Sequence, residues 1–138
     1  MASDYGFRKV IGVEFAQDLH RISSRNVAIY EHYTKKPNNI VTYCMDAVEF
    51  SLPNVPVVLF FYSPFKEKVM EKVLNNVSTS IAMNPRDCLL LFLGFNPDTL
   101  ELLKALKFQC RELKLRADWS RFIQYPTFIF TNKENRSS

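Results

Sequence analysis

The stretch "KVIGVEFAQDLH", residues 9–20, decides the fold prediction. An apolar run ends in a carboxylate, Glu14, and a helical pattern follows almost at once, with a stripe at helical spacing that includes Leu19, Ile22 and Ile29. A strand that passes directly into a helix is the repeating unit of an α/β sheet. In such sheets ligands bind beyond the carboxyl ends of the strands, so the charge at this strand tip predicts a ligand contact.

The same alternation of short apolar runs and helical patterns continues along the chain. We expect strands at residues 8–15, 40–46, 55–62 and 88–95, and helices at residues 16–34, 64–83 and 96–107. This order predicts a parallel sheet with helices on both faces. The continuously apolar runs at 55–62 and 88–95 are typical of strands covered on both faces. Residues 110–117 and 126–132 are two further strands without a helix between them, which predicts an antiparallel pair at one edge.

Length and composition indicate one domain over residues 1–133, followed by a polar tail at 134–138. No apolar run reaches the roughly 18 residues that a membrane span needs, and the first residues do not resemble a signal peptide. Three scattered cysteines without a CxxC pair favour a reducing compartment, so we expect a cytoplasmic protein. Cys44 and Cys88 lie in or beside apolar strands and are expected to be small buried side chains.

Two acidic residues follow neighbouring strands of the predicted sheet, Glu14 after the first and Asp46 after the second. A carboxylate at such a tip can accept hydrogen bonds from both hydroxyls of a ribose. An aspartate one strand further can accept from an adenine amino group while the next backbone N–H meets a ring nitrogen. Local roles compete with these: Glu14 can complement the dipole of the following helix, and Asp46 can cap a turn.

The segment "YSPF", Tyr62 to Phe65, ends the third strand and is a candidate substrate-side loop. Its competing role is structural, since Ser63 and Pro64 form a good helix cap and first turn. No base lies near Ser63 in the sequence, and no nucleophile elbow is present. We expect no metal site, because metal-ligating residues do not cluster.

The stretches "YGFRKVIGVEFAQDLHRISSRN" and "DAVEFSLPNVPVVLFFYSPF" resemble class I S-adenosylmethionine-dependent methyltransferases. The resemblance covers nearly the whole chain, and the closing strand pair also fits that fold. It implies that Glu14 binds the cofactor ribose, that Phe15 lies near the adenine, and that Asp46 and Ala47 contact the adenine edge. It also implies that Tyr62, Ser63, Pro64 and Phe65 flank the transferred methyl group of S-adenosylmethionine.

The sequence departs from that family in two ways. Ser63 stands where the related sequences carry Asn, so a substrate contact through that amide is in doubt. The glycine-rich loop after the first strand is also absent, since the three glycines form no GxGxxG pattern. Counting back about 20 residues from Glu14 runs past Met1. We therefore expect the first strand and the loop to be missing by N-terminal truncation, with Gly6 ending the first helix.

These departures leave more than one function open. The first is a methyltransferase-like protein with weak or lost S-adenosylmethionine binding, impaired or absent activity and an unknown methyl acceptor. An alternative is a gene fragment or a non-catalytic interaction module that self-associates through exposed sheet edges. RNA binding through Arg111, Lys114 and Arg116 is a weaker alternative, because a net charge of +4 and the lack of interleaved aromatic residues do not favour a nucleic-acid surface.

Overall fold

A computed structural model describes residues 2–35, 39–62, 67–94, 97–112 and 127–133. The chain divides into two compact units, Met1–Ser51 and Leu52–Ser138. The predicted polar tail at 134–138 lies outside the described residues. No helix in the described part of the chain combines the length and apolar content that crossing a bilayer requires.

The first unit is a strand–helix–strand unit. Strand β1 spans Val10–Glu14, helix α1 spans Gln17–Thr34, and strand β2 spans Ile40–Cys44. The two strands are parallel, with Val10 opposite Ile40 and Glu14 opposite Cys44. A short 3₁₀ helix, Ala2–Tyr5, precedes them, and Gly6 follows it with a φ of 78°. The predicted stop at Gly6 is therefore in the left-handed conformation that glycine adopts without strain, although the helix it ends is a single 3₁₀ turn.

Helix α1 packs a polar face on β1 and β2. The Ser24 and Thr42 hydroxyls are 3.0 Å apart, and the Tyr30 hydroxyl donates to Asp4 at 2.8 Å. None of its residues is fully buried. The helix ends where the backbone N–H of Lys35, with φ at 51°, donates to the Glu31 carbonyl. The large residues of its apolar stripe, Leu19, Ile22, Ile29 and Tyr33, stay 44–80% exposed, which the helical periodicity alone did not reveal.

The second unit is a four-stranded mixed sheet with two helices. Its elements are β3 (Val57–Tyr62), α2 (Glu67–Met83), β4 (Cys88–Leu93), α3 (Pro97–Ala105), β5 (Gln109–Glu112) and β6 (Thr127–Thr131). The strand order is β3-β4-β6-β5; β3 and β4 are parallel, and β6 is antiparallel to both β4 and β5. The predicted closing pair at one edge is confirmed. Arg111 lies in β5, whereas Lys114 and Arg116 lie outside the described residues.

One face of this sheet carries the core. Side chains from α2, α3 and the strands are fully or almost fully buried there: Met70, Leu74, Val77, Leu90, Phe92, Leu103, Phe108 and Phe130. Phe92 stacks on Phe61 at 4.8 Å between ring centroids and meets Phe130 edge-on at 5.7 Å. Strand β3 differs from its prediction, because its burial alternates and Phe60 is 60% exposed. An edge strand with a helix layer on one side buries only every second residue.

The two cysteine predictions have different outcomes. Cys88, the first residue of β4, is buried as expected. Cys44 is exposed, so its predicted burial is wrong. It is the last residue of β2, a strand with β1 as its one neighbour among the described residues, and burial falls off toward that end. An apolar run therefore did not guarantee a covered strand end.

The Cys88 thiol should resist modification in the folded protein. Burial raises its pKa from 9.0 to about 11, although the nearby Arg86 lowers it in part. A raised pKa means that the protonated thiol favours folding below about pH 9, and this contribution is lost as pH rises to about 11. At pH 8 we expect a thiol reagent to label Cys44 and Cys110 and to reach Cys88 only in denaturant. Rapid labelling of all three thiols in the folded protein would contradict this burial.

Candidate functional site

Glu14 ends β1 at the carboxyl edge of the first sheet and is half-buried. Its Oε1 accepts a hydrogen bond from the backbone N–H of Ala16 at 2.9 Å. Ala16 is the N-cap residue of α1 and its methyl group makes no capping hydrogen bond, so the Glu14 carboxylate satisfies one of the unpaired N–H groups at the helix N-terminus and complements the helix dipole there. Among the described residues the second carboxylate oxygen has no hydrogen-bond partner. The local role and the ligand role are therefore compatible, one on each oxygen.

Asp46 lies two residues beyond β2, in the loop that follows Cys44. Its Oδ1 accepts from the backbone N–H of Val48 at 2.9 Å, and its carbonyl accepts from Glu49 at 3.0 Å. The turn role expected for this aspartate is thus present. Within the described ranges its other carboxylate oxygen and the backbone N–H of Ala47 make no hydrogen bond. Both groups remain able to contact a ligand.

The strand register brings these groups to one edge of the first unit. Glu14 is paired with Cys44, and the backbone N–H of Met45 donates to the Glu14 carbonyl at 3.1 Å. Phe15 follows directly and is 76% exposed. A large exposed aromatic ring beside unengaged acceptors and a donor can stack on a planar base. The arrangement fits a ligand with one aromatic ring system and vicinal hydroxyls.

The predicted substrate-side loop is described only at its first residue. Tyr62 ends β3 and is 62% exposed. Ser63, Pro64 and Phe65 lie outside the described residues, so their helix-capping and substrate roles stay predictions. The predicted helix at 96–107 begins at Pro97, whose fixed φ suits a first helical position, and residue 96 lies outside the described residues.

A cleft between the first turns of α2 and α3 was not anticipated from the sequence. Its volume is about 250 Å³, and its lining residues are Met70, Glu71, Asp98, Thr99 and Leu102. Both helices begin after parallel strands, β3 and β4, so the cleft lies toward the strand edge where α/β sheets bind ligands. Two carboxylates on its wall favour cationic or hydrogen-bond-donating groups. The signal in the sequence was an acidic residue in an early turn of the helix after each strand, Glu71 in α2 and Asp98 in α3.

No group of three potential metal ligands occurs in the described ranges. The site in the first unit thus consists of two half-engaged carboxylates, one backbone donor and one exposed ring. These groups can recognise a ligand through acceptors, one donor and a ring, and the exposed Cys44 thiol lies beside them, 4.0 Å from the Phe15 carbonyl oxygen.

Comparison with known proteins identifies the fold. No model of a known protein family matches the sequence, and no curated protein matches it at a significant level. The methyltransferase domain of bacterial CtHen1 superposes with a TM-score of 0.58 at 9% identity, over 91% of this chain and 77% of that one. SMU.472, named as a methyltransferase and solved with SAH, superposes with a TM-score of 0.53 at 12% identity, over 94% of this chain and 32% of that one.

The N-methyltransferase NodS from Bradyrhizobium japonicum, in complex with S-adenosyl-L-homocysteine, superposes with a TM-score of 0.50 at 13% identity. That superposition covers 91% of this chain and 67% of NodS. At such identities the likeness establishes architecture alone. The mixed α/β arrangement and the antiparallel closing strands agree with it, and the chain has the Rossmann-like fold of class I methyltransferases.

Proposed function

We propose that this chain is a methyltransferase-like protein whose first unit binds the adenosine part of S-adenosylmethionine. The observation that supports this most directly is the set of unengaged groups at the carboxyl edge of β1 and β2. These are one oxygen each of Glu14 and Asp46, the N–H of Ala47 and the exposed ring of Phe15. Two of the similar solved proteins were crystallised with S-adenosylhomocysteine, which carries the same adenosine group.

Each group has a distinct task in this proposal. The second oxygen of Glu14 accepts from the ribose hydroxyls, and the Phe15 ring packs on the base. Asp46 accepts from the adenine amino group, while the Ala47 N–H donates to a ring nitrogen. When bound, the cofactor supplies an electrophilic sulfonium methyl, so the protein has mainly to align an acceptor with it.

We further propose that residues 1–138 alone bind this cofactor weakly and have little or no transferase activity. The sequence holds only Gly6, Gly12 and Gly94, which form no glycine-rich turn. Such turns bring backbone N–H groups close to a ligand and contribute much of its binding in dinucleotide folds. The N-terminal truncation expected from the sequence is not tested by the structure and stays a prediction.

Calorimetry and NMR with S-adenosylmethionine test both parts. We expect no saturable heat at about 10 µM cofactor, because weak sites have Kd values nearer 1 mM. At millimolar cofactor, backbone chemical shifts should change at residues 14, 15, 46 and 47. Cytidine, which has a ribose but no adenine, serves as the control for recognition of the base. A micromolar Kd would contradict the weak-binding proposal. Shifts elsewhere but not at this edge would contradict the adenosine site.

A second candidate function, an interaction module, is supported by the edge position of β3. Among the described strands β3 pairs with β4 alone, and Val58, Phe60 and Tyr62 are exposed. An edge strand of this kind can pair with a strand of another chain. Amides 57–62 should then become more protected from hydrogen exchange as protein concentration rises. Protection that is independent of concentration would exclude strand pairing there.

A further inference from the structure

Helix α1 carries an exposed stripe at coiled-coil spacing, which we name the α1 seam: Leu19, Ile22, Asn26, Ile29 and Tyr33. Successive members are separated by three, four, three and four residues, the a/d pattern of a heptad repeat. The four large side chains are 54%, 55%, 44% and 80% exposed in that order. An isolated surface helix normally presents such a stripe to its own core.

The opposite side of the helix explains why the seam points away from the sheet. Ser24 bonds to Thr42 of β2, and Val27, Glu31 and Thr34 are half-buried. With the seam at heptad positions a and d, Ser24 and Glu31 occupy f positions, and Val27 and Thr34 occupy b positions. The sheet of this unit is therefore covered by the side of α1 that carries Ser24 and Val27, whereas the large seam residues stay 44–80% exposed.

We propose that the α1 seam is a self-association surface, which pairs with α1 of a second copy of this chain in a parallel, in-register coiled coil. Asn26 determines this choice of partner and orientation. A single Asn at an a position selects a parallel pair in one register, because the two amides face each other and hydrogen-bond. In the antiparallel arrangement Asn26 would face Ile22 of the second copy and lose that partner.

Charges beside the seam favour the same orientation. Asp18 and Arg25 occupy g positions, which in a parallel pair face the following e position of the second copy. These e positions hold Ser23 and Tyr30, so a parallel pair brings no like charges into contact. An antiparallel pair would bring Arg25 against Arg25 of the second copy, which is unfavourable.

The helix is short for a coiled coil. Its 18 residues span about 27 Å, or roughly two and a half heptads. The interface should therefore be reversible. This inference does not depend on the cofactor proposal, because no seam residue belongs to the groups assigned to adenosine.

Sedimentation velocity on the full chain tests the seam. We expect the mass to rise with concentration from that of one 16.1 kDa chain toward twice that value. Ile22→Asp should weaken association at least about tenfold. Ala28→Asp, at an exposed position of the same helix outside the seam, should leave it unchanged. A wild-type chain that stays monomeric, or an Ile22→Asp chain that dimerises as before, would overturn the proposal.

Disulfide trapping tests the orientation and does not require a disrupted interface. In a background with Cys44→Ser and Cys110→Ser, Ile29→Cys should form a disulfide-linked dimer under mild oxidation, since this d position faces itself only in the parallel register and Asn26 stays in place. Ala28→Cys is the matched control and should remain unlinked. Far-UV circular dichroism verifies that each variant is folded. Failure of the Ile29→Cys chain to cross-link faster than the control would overturn the parallel pairing.

Discussion

Replacing Phe92 with alanine should destabilise the second unit by about 3–5 kcal/mol, the usual cost of deleting a large buried aromatic side chain. Phe92 is fully buried in β4, at the centre of the core between the sheet and the helices. It touches Phe61 on the neighbouring parallel strand and Phe130 on the antiparallel one. Two aromatic contacts, each adding about 0.5–1.5 kcal/mol beyond area burial, are lost together with the packed volume.

This loss is large relative to the stability of a small unit. Whole domains are stable by only about 5–15 kcal/mol, so Phe92→Ala should leave the second unit close to unfolding at 37 °C. Urea unfolding followed by far-UV circular dichroism measures the change. Two units can unfold separately, so the transition of the second unit must first be assigned by hydrogen exchange at β4.

Phe60→Ala is the matched control for this measurement. Phe60 lies on the adjacent strand, has the same side chain and is 60% exposed on the other face of the sheet. Its replacement should change stability by no more than about 1 kcal/mol. If both substitutions lowered the stability equally, the face of the sheet that carries Phe60 would be covered in solution. That result would contradict the exposure of β3.

The strands of the second unit were predictable because each is a short, continuously apolar run of sequence. "CLLLFL" and "VVLFFY" are too short for helices and too apolar for loops, so only strands accommodate them. The closing pair was predictable for a similar reason, since no helical pattern separates its two strands. Those arguments concern the type of each element, which local sequence determines well.

Which side of an element faces a core was less predictable. The apolar residues of α1, such as Leu19 and Ile29, lie at perfect helical spacing, yet they are exposed while Ser24 and Val27 face the sheet. Periodicity identifies a stripe and cannot state what covers it. The burial predicted for Cys44 failed for the same reason, because neighbours in space, and not neighbours in sequence, determine burial.

The candidate site was predictable at the level of residues but not of atoms. The sequence offered two competing roles for each carboxylate: complementing the helix dipole or binding ribose for Glu14, and capping a turn or binding adenine for Asp46. The structure assigns the local role to one oxygen of each carboxylate. Which oxygen takes which role depends on the hydrogen-bond geometry at the ends of β1 and β2. The register of the two strands determines that geometry, and the sequence pattern alone does not show it.

That division makes Glu14→Gln the most informative change at the proposed adenosine site. Glutamine has one acceptor oxygen in place of two, and the Ala16 N–H will occupy it at the N-terminus of α1. The amide NH₂ then points toward the ribose hydroxyls, where an acceptor is needed. Hydrogen bonds to a charged group contribute about 1.5–3 kcal/mol, so cofactor affinity should fall roughly 10- to 100-fold.

With a wild-type Kd of about 1 mM, millimolar S-adenosylhomocysteine should shift the backbone signals of Phe15 and Ala47 in the wild type and leave them almost unchanged in Glu14→Gln. Glu49→Gln is the control, because Glu49 is an exposed carboxylate in the same unit whose backbone N–H, and not its side chain, bonds to Asp46. The substituted glutamine keeps the bond to Ala16 and loses only the charge beside the N-terminus of α1, so the free energy of unfolding should fall by no more than about 1 kcal/mol. If Glu14→Gln bound the cofactor as tightly as the wild type, Glu14 would act only at the N-terminus of α1. If Glu49→Gln lost as much affinity, the effect would come from the change in net charge alone.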